Sequence, residues 1–147
     1  ALDLSGYHPM ALPEINEKLA ERYLAQRNVA AADSFFARAL RYYPNPVIES
    51  RSRLGLAYIA LAHGDYSESI DHYERVLELL ELYNLRFDGM ADVQLNVGLA
   101  YLQRSKSENG NGNVDLRRAR SSFREALDLD PTGEAGITAR KQLEAID

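Results

Sequence analysis

Apolar residues recur along this chain at the three-to-four spacing of helices that are covered on one side only, and the amphipathic segments come in pairs separated by tight turns. The pattern predicts helices over Pro13 to Arg27 and, past a turn at Asn28, on to Tyr43. Pro44-Asn45-Pro46 stops that pair, because proline breaks the helical ladder and disfavours a helical residue before it. A second pair spans Val47 to Ala62 and Tyr66 to Tyr83 around His63-Gly64-Asp65, where the glycine can take a left-handed cap. A third begins at Met90, reaches Ser105, and resumes after a polar stretch, Lys106 to Asn113, to end before Pro131. Gly133 to Ile146 forms one last helix, with Ile137, Leu143 and Ile146 on its covered side. The chain is therefore expected to be all-α.

The pairs repeat. Arg53-Leu54-Gly55-Leu56-Ala57-Tyr58 returns in near copy as Asn96-Val97-Gly98-Leu99-Ala100-Tyr101. Leu19, Ala20 and Tyr23 supply a third version, followed by Ala32, Phe36, Ala39 and Pro44. Ser69, Tyr73 and Val76 hold the matching places in the middle copy, and Ala119, Phe123, Ala126 and Pro131 in the last. A small residue lets two helices approach closely while an aromatic ring fills the space beside the contact. A hairpin built this way leaves an apolar face that only the next hairpin covers, so the repeats must stack.

These residues resemble the tetratricopeptide repeat (TPR), a helical hairpin of about 34 residues with a Leu-Gly-x₂-Tyr, Ala-x₃-Phe, Pro pattern. The resemblance implies a right-handed α-solenoid of three hairpins and a capping helix. Residues 1–12, with Gly6, Pro9 and no helical period, are expected to be an N-terminal extension that is either frayed or lays Leu2, Leu4, Tyr7 and Met10 in the groove, and by the resemblance 13–147 form a single TPR domain. The repeats fall at about 13–46, 47–83 and 90–132, the last with a lengthened turn at 106–113, and the cap at about 133–146. Repeat 2 allows two registers. Counting from Gly55 and Tyr58 leaves two residues too many before the turn, whereas counting back from Gly64-Asp65-Tyr66 puts Leu56 and Ala57 in the leucine and small slots; the second is preferred, since Ser69 and Tyr73 fix the hairpin.

Composition narrows the functional classes. In 147 residues, 46% are apolar and 27% charged, enough for a continuous core under a charged surface. A net charge of −5 argues against a nucleic-acid partner, and no apolar run approaches the roughly 18 to 20 residues needed to cross a bilayer. Without cysteine there is no disulfide and no thiolate ligand or nucleophile. The first residue, Ala1, is compatible with a trimmed chain, a removed leader or one domain of a longer protein, and the compartment stays open between cytoplasm, periplasm and organelle.

No catalytic constellation, metal set or cofactor motif stands out. His8, His63 and His72 lack partners at ligand spacing and read as surface histidines, and Glu68, Asp71, Glu74, Glu78 and Glu81 read as one solvated helix face. The Gly-Asn tip has no preceding strand and no following Gly-Lys-Ser/Thr, so it reads as a mobile loop rather than a phosphate cradle. The chain is not expected to be an enzyme.

By the resemblance, the first helices of successive hairpins line a concave groove. Carried over, its positions are Glu14, Glu17, Lys18, Glu21 and Leu24, then Arg51, Leu54, Tyr58 and Leu61, then Asp92, Leu95, Asn96, Leu99 and Leu102. Relatives that clamp a chaperone's C-terminal carboxylate use Lys, Asn and Arg where this chain has Glu17, Glu21, Gly55, Asp92 and Asn96, so that ligand would be repelled. What is expected is an apolar floor with an acidic rim at Glu17 and Glu21, suited to an apolar or amphipathic peptide of a protein partner. Arg117, Arg118, Arg120 and Arg124 offer a second, basic patch. The implied role is an interaction module, as scaffold, assembly factor or chaperone-like holder. The alternatives are a structural protein that self-assembles into a homo-oligomer, and a regulatory TPR domain of a longer enzyme or secretion component.

Overall fold

The computed structural model describes residues 12–41, 44–107 and 111–146. The expectations for the N-terminal extension, for Tyr43 as a helix end and for the centre of the Gly-Asn stretch lie outside them. Seven helices and no strand are found among the described residues: α1 (Leu12–Ala25), α2 (Val29–Arg41), α3 (Pro46–His63), α4 (Tyr66–Leu82), α5 (Met90–Ser105), α6 (Gly112–Leu129) and α7 (Glu134–Ile146).

Local chemistry sets the boundaries. Arg27 takes φ 61° in the first turn, and the Asn28 side chain then accepts the Ala31 N–H at 3.3 Å to start α2. Asn45 caps α3 by accepting the Ile48 N–H at 2.9 Å, with Pro46 in the first turn, where its missing N–H loses nothing. Gly64 closes the same helix at φ 82°, and the Asp65 N–H reaches back to the Ala60 carbonyl at 2.9 Å. The polar stretch is shorter than the sequence suggests. α6 takes in Gly112 and Asn113, because the Asp115 carboxylate accepts the Asn111 N–H at 3.2 Å and holds the first turn in place.

Consecutive helices pack as hairpins, α1 with α2, α3 with α4 and α5 with α6, and the first helices also touch in series, α1 with α3, α3 with α5 and α5 with α7. Ala20, Ala32, Ala57, Ala100, Ala119, Ala126 and Ala139 are wholly buried at these crossings, beside the buried rings of Phe36, Tyr73 and Phe123. Each such ring contributes roughly 1.5–3 kcal/mol by leaving water. The core falls into two clusters that meet across α3. Leu56 and Ile59 face the first hairpin, and Ala57 faces the rest.

The α3 register is the turn-anchored one. A Cβ on Gly98 would lie 2.6 Å from Phe123, so that glycine closes its own hairpin. Its counterpart in repeat 2 is Ala57, whose carbonyl accepts the Ser69 hydroxyl at 2.8 Å. Gly55 instead meets the Phe36 ring of the preceding hairpin, where any Cβ would collide. The two look-alike hexapeptides thus sit two residues out of phase. Two residues are about 200° of helix, which turns Tyr58 away from the position Tyr101 holds.

Polar ties add to the apolar contacts. Arg104 forks onto Asp115 at 2.8 and 3.0 Å across the third hairpin. Tyr101 and Arg118 both bond to Glu74, joining α5 and α6 to α4.

Candidate functional site

Because α1, α3 and α5 lie in series, their matched positions form one face, and each residue singled out in the sequence can be placed on it. Leu54, Leu61, Leu95 and Leu99 are partly buried and pack against the larger core cluster. Leu102 is only 6% exposed. Much of the expected apolar floor is therefore contact between repeats, and Leu102 offers nothing to a ligand. Asn96 is half-buried and hydrogen-bonds the Tyr73 hydroxyl, though burial dominates and pushes that phenol's pKa well up.

Tyr58 differs. It is 52% exposed and, with Glu21, Leu24, Ala25, Arg27 and Val29, lines an open recess of about 820 Å3 between the C-terminal half of α1, the first turn of α2 and the middle of α3. Glu21 stands at one side with its side chain about half exposed. Leu24 and Val29 are half-buried and pack on the smaller core cluster. The recess therefore has an aromatic ring, three aliphatic side chains, one carboxylate and one guanidinium. Such a surface suits a short apolar segment with a polar flank.

Glu17 is not the exposed rim residue that the sequence suggests. It is wholly buried, and neither carboxyl oxygen accepts a hydrogen bond. Its pKa is pushed up to about 7, first by loss of water, then by the carboxyl of Glu21 one turn away, against the opposing charges of Lys18 and Arg51. The acidic end is thus one buried and one exposed carboxyl side by side.

The basic patch divides. Arg118 is tied to Glu74 at 2.8 Å and to the Tyr101 hydroxyl at 3.1 Å, with its guanidinium 5.7 Å from that ring. Arg120 is half-buried and engaged, and Arg117 and Arg124 are exposed. Side chains so differently occupied do not make one anion site. His72 is also less exposed than expected: its Nδ1 lies 3.1 Å from Arg53 Nη1, and burial together with Arg53 lowers its pKa. No group of three His, Cys, Asp or Glu among the described residues could hold a metal ion.

Sequence reasoning missed Ala25, Arg27 and Val29. They belong to the end of the first hairpin, and Arg27 in particular is placed by a left-handed turn that only its adjacency to Asn28 could have hinted at.

Among solved structures, the chain superposes on the Arabidopsis OM64 TPR domain with a TM-score of 0.65, over 94% of this chain and 98% of that one, at 16% sequence identity. The fold is that of a TPR domain. No protein-family profile matches the sequence, and no curated protein matches it. At this identity the likeness carries the TPR solenoid and nothing about ligands. Among the described residues no helix is long and apolar enough to cross a membrane.

Proposed function

We propose that this TPR solenoid is a protein–protein interaction module that holds an apolar or amphipathic peptide segment of a partner on the face made by α1, α3 and α5. The observation that carries the reading is the Tyr58 recess. A half-exposed tyrosine beside Leu24 and Val29 presents apolar area that this monomer leaves in contact with water, and tyrosine is among the side chains that contribute most at interfaces. The binding register lies nearer the first two repeats than the leucine pattern of the sequence implies, since Leu102 is buried and Leu95 and Leu99 are partly committed to the core.

A display library of random dodecapeptides selected on the protein tests this. Enriched sequences should carry one or two large apolar residues, and Tyr58→Ala combined with Leu24→Asn should abolish their binding while far-UV circular dichroism stays unchanged. Full retention of binding by the folded double variant would refute the recess as the site.

Self-association is a second reading, favoured by a specific surface. Leu82 is 66% exposed, Tyr83 52% and Leu129 49%, and Leu129 borders a hollow beneath the α4–α5 link with Leu85 and Met90. Light scattering over a hundredfold range of concentration separates the two readings. A rise in mass that Leu82→Lys and Leu129→Lys abolish favours assembly through this surface.

A further inference from the structure

Two carboxylates are buried among the described residues, Glu17 and Asp115. They are treated differently. Asp115 has the forked guanidinium of Arg104 and a backbone N–H, which hold its pKa down. Glu17 has no such partner. Both its oxygens lack hydrogen bonds. Lys18, itself 55% exposed, approaches only to 3.9 Å and is shared with Glu21 at 3.7 Å. Arg51 of α3 acts on it through space alone.

The carboxyl of Glu21 is the remaining neighbour. Burial without a hydrogen-bond donor disfavours the Glu17 carboxylate and the neighbouring Glu21 carboxyl disfavours it further, so Glu17 keeps its proton to higher pH than an exposed glutamate. Glu17 is the buried half, and Glu21 is the exposed half, lining the recess with Leu24 and Tyr58. Arg27, also on the recess wall, is a fixed positive charge, so the recess has a sign at each side and can orient what enters it. A divalent ion would need more oxygen ligands than these two carboxyls supply.

We propose that the Glu17–Glu21 pair receives a lysine ammonium or arginine guanidinium of the peptide that occupies the Tyr58 recess, and that the cation displaces the proton of Glu17 to solvent. The inference rests on the peptide-binding reading above and adds the chemistry of the occupant and its coupling to pH. Glu21 meets the cation directly, and Glu17 ionises behind it. The charged groups acting on Glu17 are Glu21 and Lys18 from α1 and Arg51 from α3. The proton released is that of Glu17.

The test uses the full chain and two capped amphipathic peptides, one of leucine, tyrosine and lysine and its twin with every lysine replaced by glutamine. Neither peptide titrates between pH 5.5 and 8. With a free-state pKa of about 7 and complete release of one proton, affinity for the lysine peptide rises about 30-fold over this interval. Calorimetry at pH 6 in phosphate and in Bis-Tris, buffers of different ionisation heat, should report about one proton released per peptide bound, falling to about half at pH 7. The glutamine twin should bind with no pH dependence, and Glu17→Gln should flatten the profile of the lysine peptide. Glu21→Gln, which removes the neighbouring charge, should move the midpoint to lower pH and keeps the idea testable if the first variant folds poorly. Binding of both peptides at the recess with less than a threefold change, or no proton release, overturns the proton-coupled pair and leaves the peptide reading standing. Failure of both peptides to perturb Tyr58 at any pH overturns both.

Discussion

Replacing Glu17 with glutamine should stabilise the protein at alkaline pH and leave it nearly unchanged at pH 4.5. In the unfolded chain this carboxyl titrates near 4.5, and in the fold near 7. Between those values the native state keeps a proton that the unfolded state has lost. Stability therefore falls as pH rises through the window, and the whole penalty is present above pH 7. At about 1.4 kcal/mol per pKa unit the shift corresponds to about 3 kcal/mol. Glu21 is half exposed and brings water to the pair, which reduces the expected effect to about 2 kcal/mol. For a domain of this size that is about 6 °C in Tm. Urea denaturation of the parent and Glu17→Gln should be followed at half-unit steps from pH 4.5 to 8.5, and the quantity to plot is the difference between them. His72 opposes the trend, because a lowered histidine pKa makes stability rise with pH below its ordinary range, but it is the same in both proteins and cancels. A difference that does not change with pH, or a variant less stable than the parent at pH 8, would show that Glu17 is not a buried carboxyl lacking a partner.

Gly98→Ala should destabilise by about 1–3 kcal/mol, because the new methyl meets Phe123 at 2.6 Å; alanine ordinarily improves a helix interior by about 1 kcal/mol, so the sign of the change in thermal melting is diagnostic. Gly55→Ala should also destabilise, through Phe36, and Phe36→Leu should relieve part of the loss. Arg104→Leu strands Asp115, which is 1% exposed, and should lower stability by about 2–4 kcal/mol at pH 7. Asp115 contributes stability above its unfolded pKa that disappears as it takes up a proton, so the gap between parent and variant should close as pH falls below 4, measured by denaturant titration. Inserting four Gly-Ser residues between Ser107 and Asn111 should change the urea midpoint little, since closure entropy grows slowly with length, whereas replacing Asn111 with proline removes the N–H given to Asp115 and should be felt.

The hairpins were legible because their signals are local and repeated. Asn45 and Pro46 announce a helix start, Gly64 a stop, and Ala32/Phe36 and Ala119/Phe123 the faces that close. The resemblance told which helices lie side by side. It could not tell how a position on that face divides between neighbour and solvent, because this depends on how closely α1, α3 and α5 approach. Leu99 and Tyr58 are both apolar at matched places, yet Leu99 packs into the core while Tyr58 stands half in water. By the resemblance Glu17 belongs with Glu21 to an acidic rim of the groove, whereas the fold buries it. No pattern in the sequence reveals that the chain around it removes the water.

The recess owes its existence to the phase slip between the two copies of the central motif. In repeat 3 the tyrosine of the motif, Tyr101, is 3% exposed, hydrogen-bonded to Glu74 and flanked by the guanidiniums of Arg104 and Arg118. It is fully used in holding α5 to its neighbours. In repeat 2 the same hexapeptide is displaced by two residues, because Gly55 is taken up by Phe36 of the first hairpin and Ala57 replaces it at the hairpin crossing. Ala60 then fills the structural place, buried at 4%, and the displaced Tyr58 is carried to the open face beside Leu24 and Glu21. A ring that packing does not use is exposed where a partner can reach it. Moving the motif back into phase, by exchanging Tyr58 and Ala60, would place the ring in the interior and empty the face. The exchanged protein should lose peptide binding and also stability, since the ring would be forced into a site sized for a methyl group, at about 1–3 kcal/mol. Tyr58→Ala alone should lose binding and keep its stability. If Tyr58→Ala instead melts as early as the exchanged protein, the ring is part of the solenoid's packing rather than a surface for a partner.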